Sequence, residues 1–112
     1  MIAWVVMLAT MLAASIRPPI VGVASWYDGT PREAAAGPAL RAMLGPNWRG
    51  RLVYVSRRTC TEAGCQTRTA RVRVTDWCAC YGTRVIDLDR ATFALFASPS
   101  RGLIRVSVRP VP

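Results

Sequence analysis

Hydrophobic and polar residues alternate along much of the chain with the two-residue period of β-strands. The alternation is clearest in residues 69–76 and 103–109, where apolar residues alternate with arginine, threonine and serine. Such strands bury one face and expose the other. Shorter runs rich in β-forming residues predict three further strands, at residues 22–27, 51–56 and 84–88.

One helix has a clear predicted start. Asp89 is a suitable N-cap for residues 90–97, and the Ser-Pro-Ser-Arg-Gly sequence that follows ends the helix. A second short helical turn is predicted near residues 38–44. Five or more short strands, with a helix between the last two, indicate a small closed barrel, because a short sheet must hide its edges.

Chain length and the first residues predict the domain organisation. At 112 residues there is room for one small domain. Residues 2–16 form an uncharged apolar run, shorter than the roughly 20 residues of a membrane span but typical of a secretory signal. We therefore predict a signal peptide or N-terminal anchor at 1–16, a linker at 17–21 and a folded domain at 22–110. The alternative for the apolar run is a buried first helix.

This organisation predicts an exported protein, located outside the cell or in the cell envelope. Contact with the membrane is expected only through an uncleaved N-terminal segment. All 15 basic residues are arginine, and six acidic residues leave a formal net charge of +9. A basic exported domain is attracted to anionic surfaces such as cell-wall polymers or lipid headgroups. Nucleic acid is not expected as a partner, because the arginines are dispersed and no recognised binding motif is present. A monomer is expected.

The four cysteines, Cys60, Cys65, Cys78 and Cys80, predict disulfides, because an even number in a small exported domain indicates them. Zinc is disfavoured, since C-x4-C and C-x-C differ from the usual C-x2-C pairs and the chain contains no histidine. We expect neither a metal nor a cofactor. A bond between Cys78 and Cys80 would close a strained ring. The first two cysteines are therefore expected to bond to the last two, in either order.

Four stretches carry a resemblance to a known family: GVASWYDG, ARVRVTDWCAC, RVIDLDRATFALFA and RGLIRVSV. Over about residues 22–109 they resemble the double-psi β-barrel domain of the rare lipoprotein A family, a fold shared with barwin and expansins. The resemblance implies a mostly β, six-stranded double-psi β-barrel with one or two short helices. That family includes lytic transglycosylases that cleave peptidoglycan and members that only bind wall polysaccharides.

The resemblance also implies a role for Asp76, which matches the family's aspartate at the end of the central strand. That residue would be the general acid that protonates the glycosidic oxygen. Its carboxyl would have to be desolvated, for instance against Trp26 or Trp77, to raise its pKa well above about 3.9. A lytic transglycosylase can act with one carboxyl, because the sugar's own 6-hydroxyl attacks the anomeric carbon, whereas a hydrolase ordinarily needs two.

Other aromatic and acidic residues are candidate substrate-binding groups: Trp26, Tyr27, Asp28, Trp77, Tyr81 and Asp87. Trp26 and Tyr27 are consecutive in a strand and cannot both line one wall unless the strand ends there. Asp87 also has a structural interpretation, which we favour over a catalytic role: it would accept backbone N–H bonds at a strand-to-helix turn. Asp89 is expected only to cap the helix.

Two residues of catalytic family members have no clear equivalent in this chain. The family's histidine follows two alanines, and the nearest stretch here, residues 34–41, contains no histidine; Glu33 is the only candidate for the family's glutamate. Three hypotheses follow. The chain is a peptidoglycan-cleaving enzyme that uses Asp76, a non-catalytic expansin-like module that binds peptidoglycan or another anionic wall polysaccharide, or a barwin-like defence or interaction domain. The missing histidine favours the module and the retained aspartate favours the enzyme.

Overall fold

The computed structural model describes residues 18–112, and the predicted signal peptide or anchor lies outside them. The strands are β1 (Ile20–Tyr27), β2 (Glu33–Ala36), β3 (Leu52–Thr61), β4 (Gly64–Trp77), β5 (Arg84–Asp89) and β6 (Ile104–Pro110). The helices are α1 (Pro38–Leu44) and α2 (Arg90–Ala94), and a 3-10 turn spans Pro99–Arg101. Within residues 18–112, neither helix has the length and apolar character that a membrane crossing requires.

The six strands close into one barrel in the order β1-β5-β2-β4-β3-β6, and β6 pairs back with β1. The β1–β5 and β2–β4 pairs are parallel and the other pairs are antiparallel. The predicted mostly β fold with a closed six-stranded barrel is confirmed. Strands β1, β5, β2 and β4 are consecutive around the barrel, and they carry the candidate site.

Alternate residues of the strands fill the inside of the barrel. The apolar positions predicted to face inward on β4 and β6 are buried: Ala70, Val72, Val74, Ile104, Val106 and Val108. Phe93 of α2 and Leu40 of α1 join the same cluster, and each is fully buried. The hydrophobic alternation in the sequence therefore identified the inner face of these strands correctly.

Two features of the strands were not predicted. Strand β2 consists of one glutamate and three alanines, which lack the β-branched and aromatic character typical of strands. It is a strand because β5 pairs with one of its edges and β4 with the other. The second feature is the length of the β3–β4 hairpin. The β3–β6 ladder ends at Ser56, but the hairpin continues through residues 57–68, which we call the arm.

The disulfide pairing predicted from the sequence is wrong, because Cys60 bonds to Cys65 and Cys78 bonds to Cys80. Cys60 and Cys65 lie directly opposite each other near the tip of the arm, with Cα atoms 4.0 Å apart. Twelve residues of extended chain lie between Cys65 and Cys78, which corresponds to about 40 Å and prevents bonds between the two pairs. The Cα atoms of Cys78 and Cys80 are 5.1 Å apart, within the usual range for disulfides.

Candidate functional site

One residue from each of four consecutive strands forms a line across the outside of the barrel. The pairings join Ser25 of β1 to Asp87 of β5, Asp87 to Ala35 of β2, and Ala35 to Asp76 of β4. We call these four residues the acidic row. Neighbouring strands are about 4.8 Å apart, so the Cα atoms of Asp87 and Asp76 are about 10 Å apart. The two carboxylates therefore flank a shared strip of surface.

Ala35 is the small residue between the two aspartates of the row. Its chain neighbours Ala34 and Ala36 belong to the hydrophobic core, but Ala35 does not, so it faces the outside. It is nevertheless only 4% exposed. The small side chains of Ser25 and Ala35 alternate with the aspartates, and both are buried.

A β-bulge directs Asp76 to the outer face. The β2–β4 register shifts so that Ala34 pairs with Val74 but Ala35 pairs with Asp76, which leaves Thr75 as an extra residue. Strict alternation from the buried Val74 would point Asp76 into the core, whereas the bulge reverses its direction. Asp76 is exposed, and its Oδ1 accepts a hydrogen bond from the Trp77 amide at 2.8 Å.

The acidic side chains of this face raise the pKa of Tyr27. It is two residues beyond Ser25 on β1, so its side chain is on the same outer face. Partial burial raises the pKa of the Tyr27 phenol above its ordinary value. The negative charges of four carboxylates raise it further, in the order Asp87, Asp76, Glu33 and Asp89. Four of the six acidic residues in the chain thus raise the pKa of one phenol.

Gly29 provides the space that the Tyr27 ring occupies. A Cβ atom on this glycine would lie 2.6 Å from both Cε2 and Cζ of the ring. Real Cβ atoms do not approach a ring carbon this closely, so any larger residue at position 29 would displace the phenol from the carboxylates. The glycine of the Tyr-Asp-Gly sequence therefore both ends the strand and allows the Tyr27 ring to take its position.

Asp87 and Asp89 have different partners, and only one of the two predictions is confirmed. Asp89 is buried, and its Oδ2 accepts a hydrogen bond from the Thr92 amide at 3.0 Å, which confirms the predicted helix cap. Its Oδ1 also accepts from the Arg32 amide at 3.1 Å. The turn-bracing role predicted for Asp87 is wrong, because that residue lies within β5 and its Oδ1 accepts from the Ser25 hydroxyl at 2.9 Å.

A stack of arginine and tryptophan side chains extends from the Asp76 end of the row. The guanidinium of Arg41 lies 5.7 Å from the ring centroid of Trp77 and 5.9 Å from that of Trp48. Arg49 covers the same Trp48 ring at 4.6 Å and donates a hydrogen bond to the carbonyl of Thr75, at the bulge. Such cation–π pairs hold the rings in defined positions. Trp77 is 56% exposed and presents a flat surface beside Asp76.

Sequence reasoning did not identify Arg41, Trp48 or Arg49 as part of a site. These residues are 28 or more positions from Trp77, and the closure of the barrel brings them to it. The Arg41 Nη1 donates to the carbonyls of Ala36 at 2.6 Å and Cys78 at 3.4 Å. It thereby links the end of β2 to the turn that follows β4.

Of the six predicted substrate-binding residues, Asp87 belongs to the row and Tyr27 and Trp77 flank it, whereas the other three have different surroundings. Trp26 packs against the core, and its Nε1 donates to the Pro99 carbonyl at 2.7 Å. This agrees with the prediction that it cannot share a wall with Tyr27. Asp28 is exposed and lines a depression of about 450 Å³ next to α2. Tyr81 follows the Cys78–Cys80 disulfide and is 83% exposed.

The environment of Asp76 differs from the one a general acid requires. The sequence-based hypothesis placed a desolvated carboxyl against Trp26 or Trp77, but Asp76 is exposed and Trp26 packs on the other side of β1. Glu33 is half-buried on the outer face, two residues before Ala35. Within residues 18–112, no group of three or more histidine, cysteine or acidic side chains is arranged to hold a metal ion. Asp76 thus lacks the covering groups that the general-acid hypothesis assumed.

Two solved structures share the fold. A Streptomyces papain inhibitor is 24% identical with a TM-score of 0.61, and the match covers 88% of this chain and 98% of that one. An expansin mutant from Clavibacter michiganensis, in complex with cellohexaose, is 19% identical with a TM-score of 0.60; the match covers 85% of this chain and 51% of the expansin. No curated protein sequence matches the chain significantly.

A protein-family model also matches the chain, and this match is based on sequence. The lytic transglycolase model matches residues 20–108, from the start of β1 almost to the end of β6. The match contains every strand that contributes to the acidic row. The chain therefore belongs to the lytic transglycolase family of double-psi β-barrel domains, as the resemblance in its sequence implied.

Proposed function

We propose that the chain is an exported domain that binds a cell-wall polysaccharide along the acidic row. The observation that carries the proposal is the alternation of Ser25, Asp87, Ala35 and Asp76 across four strands. Carboxylates accept hydrogen bonds from sugar hydroxyls, and these charge-assisted bonds are stronger than neutral ones. Family membership and the expansin's cellohexaose complex support a glycan as the ligand.

The flanking aromatic groups suit the same ligand. An exposed ring such as Trp77 can stack on the apolar face of a sugar, and Tyr27 offers a polar tip at the row itself. Arg41 and Arg49 carry positive charge next to Trp77 and Trp48. An anionic wall polysaccharide such as peptidoglycan fits this arrangement, with its hydroxyls on the aspartates and its carboxylates near the arginines.

Binding can be measured by co-sedimentation of the oxidised domain with purified peptidoglycan. Asp87→Ala removes one acceptor of the row and is expected to weaken binding at least tenfold, because a hydrogen bond to a charged group contributes about 1.5 to 3 kcal/mol. Glu62→Ala is the matched control, since Glu62 lies in the turn at the tip of the arm. Equal affinities of the two variants, or no binding by the unmodified domain, would refute the proposal.

Cleavage is the second candidate function, and one observation favours it. The carboxyl of Asp76 is exposed on the outer face of β4, and a lytic transglycosylase can act with a single carboxyl. Incubation with peptide-free glycan strands between about pH 4 and pH 8, followed by mass spectrometry, distinguishes the functions. A binding module leaves the strands intact. Anhydro-ended products that disappear in Asp76→Asn would establish a lytic transglycosylase instead.

A further inference from the structure

A second polar cleft lies between the arm and the segment that follows α2. It has a volume of about 180 Å³. The residues of this arm cleft are Arg57, Thr59, Gln66, Arg68 and Phe96. Arg68 and Asp76 are eight residues apart on β4, or about 26 Å of extended strand, so the arm cleft is separate from the acidic row.

Two arginines face each other across the arm cleft. Arg57 of β3 pairs directly with Arg68 of β4, and the next pair on the same face is Thr59 with Gln66. Like charges directly opposite each other destabilise a strand pair. Arg68 is held in place because its Nη1 donates to the Leu95 carbonyl at 2.9 Å. The arm thus positions two cations and two neutral hydrogen-bonding side chains on one face.

The guanidinium of Arg57 lacks a partner for one buried nitrogen. Its Nη1 is buried, and no group in residues 18–112 accepts a hydrogen bond from it. Burial lowers the pKa of Arg57, and the positive charge of Arg101 lowers it further. A buried donor without an acceptor costs about 1 to 3 kcal/mol, and more when it is charged. An anion next to Arg57 would offset this cost.

Further arginines surround the other side of Arg57. A neighbouring depression of about 240 Å³ is lined by Arg57, Arg58, Arg101 and Arg105 together with apolar side chains. The only acidic residue of the arm, Glu62, is five residues from Arg57, about 16 Å along the strand. Positive charge is therefore concentrated around Arg57, and the single carboxylate of the arm is distant from it.

We propose that the arm cleft binds a phosphate group, with Arg57 and Arg68 as its main ligands and Thr59 and Gln66 as additional hydrogen-bond donors. A phosphate monoester carries about −1.5 to −2 charges and three acceptor oxygens, which matches two guanidinium groups better than a single carboxylate does. Guanidinium groups bind phosphate with two parallel hydrogen bonds. The site is independent of the glycan-binding function, which uses the opposite end of β4.

The test is a titration of the full, oxidised domain with inorganic phosphate at constant ionic strength. Binding is monitored through the NMR signals of the backbone amides and the arginine side chains. Saturable shifts are expected at residues 57, 59, 66 and 68. Arg57→Met should weaken binding at least tenfold, and Thr59→Val, which keeps both arginines, should weaken it several-fold. Arg71→Met is the control, because it removes an equal charge from an exposed position of β4 and should leave the affinity unchanged.

Measurements of the free energy of unfolding test the site even if Arg57→Met changes the fold of the arm. Without phosphate, Arg57→Met should be as stable as the original protein or more so, because it removes a buried donor without a partner and the repulsion between Arg57 and Arg68. With phosphate, only proteins that retain Arg57 should become more stable. Shifts that do not saturate, or equal affinities of Arg57→Met and Arg71→Met, would overturn the site.

Two further titrations identify the source of the phosphate. One uses a poly(glycerol phosphate) wall polymer, and the other uses vesicles of phosphatidylcholine and phosphatidylglycerol. Binding to either that Arg57→Met weakens at least tenfold and Arg71→Met does not supports the site and identifies the class of ligand. Binding that both variants weaken equally would reflect only the net positive charge of the chain and would contradict the proposal.

Discussion

The face that carries the acidic row and the arm that carries the arginine pair differ in how the fold supports them. The row is built from four strands of a closed barrel, and each of these strands is paired with a neighbour on both sides. The arm is a two-stranded ribbon whose only covalent support is the Cys60–Cys65 disulfide. An isolated two-stranded hairpin is marginally stable at best.

The two regions also differ in charge. Four carboxylates on the barrel raise the pKa of Tyr27, whereas Arg57 and Arg68 face each other on the arm. A net charge of +9 is therefore not spread evenly. The barrel face carries hydrogen-bond acceptors, and the arm carries hydrogen-bond donors. The comparison predicts that the two regions can be disrupted separately, and three experiments test this.

The largest effect is expected from Gly22→Ala in the barrel. A Cβ at this position would lie 2.5 Å from the Thr83 carbonyl oxygen and 2.6 Å from Cγ1 of Val85. Because one of these atoms is backbone, the β1–β5 contact must shift, and overpacking of this kind costs about 1 to 3 kcal/mol. Urea unfolding should show a loss at the upper end of that range, together with weaker glycan binding.

Gly64→Ala in the arm is the matched substitution. Gly64 has a φ of 124° but no atom within 4 Å of a Cβ, so its cost comes from backbone strain alone. We expect a change in the unfolding midpoint smaller than that of Gly22→Ala, with glycan binding intact. If Gly64→Ala destabilised the whole domain as strongly, the arm could not be regarded as separable from the barrel.

The parts of the fold that alternation determines were predictable from the sequence. The buried faces of β4 and β6 and the cap at Asp89 follow from local patterns, and the structure has them as predicted. Strand β2 was not predictable in this way, because its alanines have no strand preference and only its two neighbours define it. The arm was also missed, because polar residues on both faces give no period.

The candidate site was predicted in part, for a related reason. Tyr27, Asp76 and Asp87 were identified, but the bulge at Thr75 that turns Asp76 outward leaves no signal in the alternation. The disulfides were predicted wrongly because the length of β3 and β4, which brings Cys60 opposite Cys65, was underestimated. Ala35 and Arg41 take part through contacts with residues distant in the sequence, and no local pattern indicates such contacts.

An intermediate effect is expected when the arm disulfide is removed by Cys60→Ser with Cys65→Ser. In the chain-entropy model a bond that closes six residues contributes about 2 kcal/mol, but here the loss should be confined to the arm. Hydrogen exchange should show faster exchange for arm amides, with the barrel amides unchanged. Cys78→Ser with Cys80→Ser is the control, and it should leave the arm protected. Faster exchange throughout the barrel in the first variant would contradict the separation.

The smallest effect concerns Tyr27 at high pH. Because its pKa is raised in the folded state, the unfolded chain loses the phenol proton first as the pH rises above about 10, so the free energy of unfolding falls in that range. Below about pH 10 the group contributes nothing to the pH dependence. The chain has no lysine and, within residues 18–112, no free cysteine, so few other side chains titrate there. Tyr27→Phe should reduce the fall in stability above about pH 10, whereas Tyr81→Phe, which changes a highly exposed ring, serves as the control. Identical slopes for the two variants would mean that the carboxylates of the acidic row do not act on Tyr27, and the charge contrast between barrel and arm would lose its clearest observable.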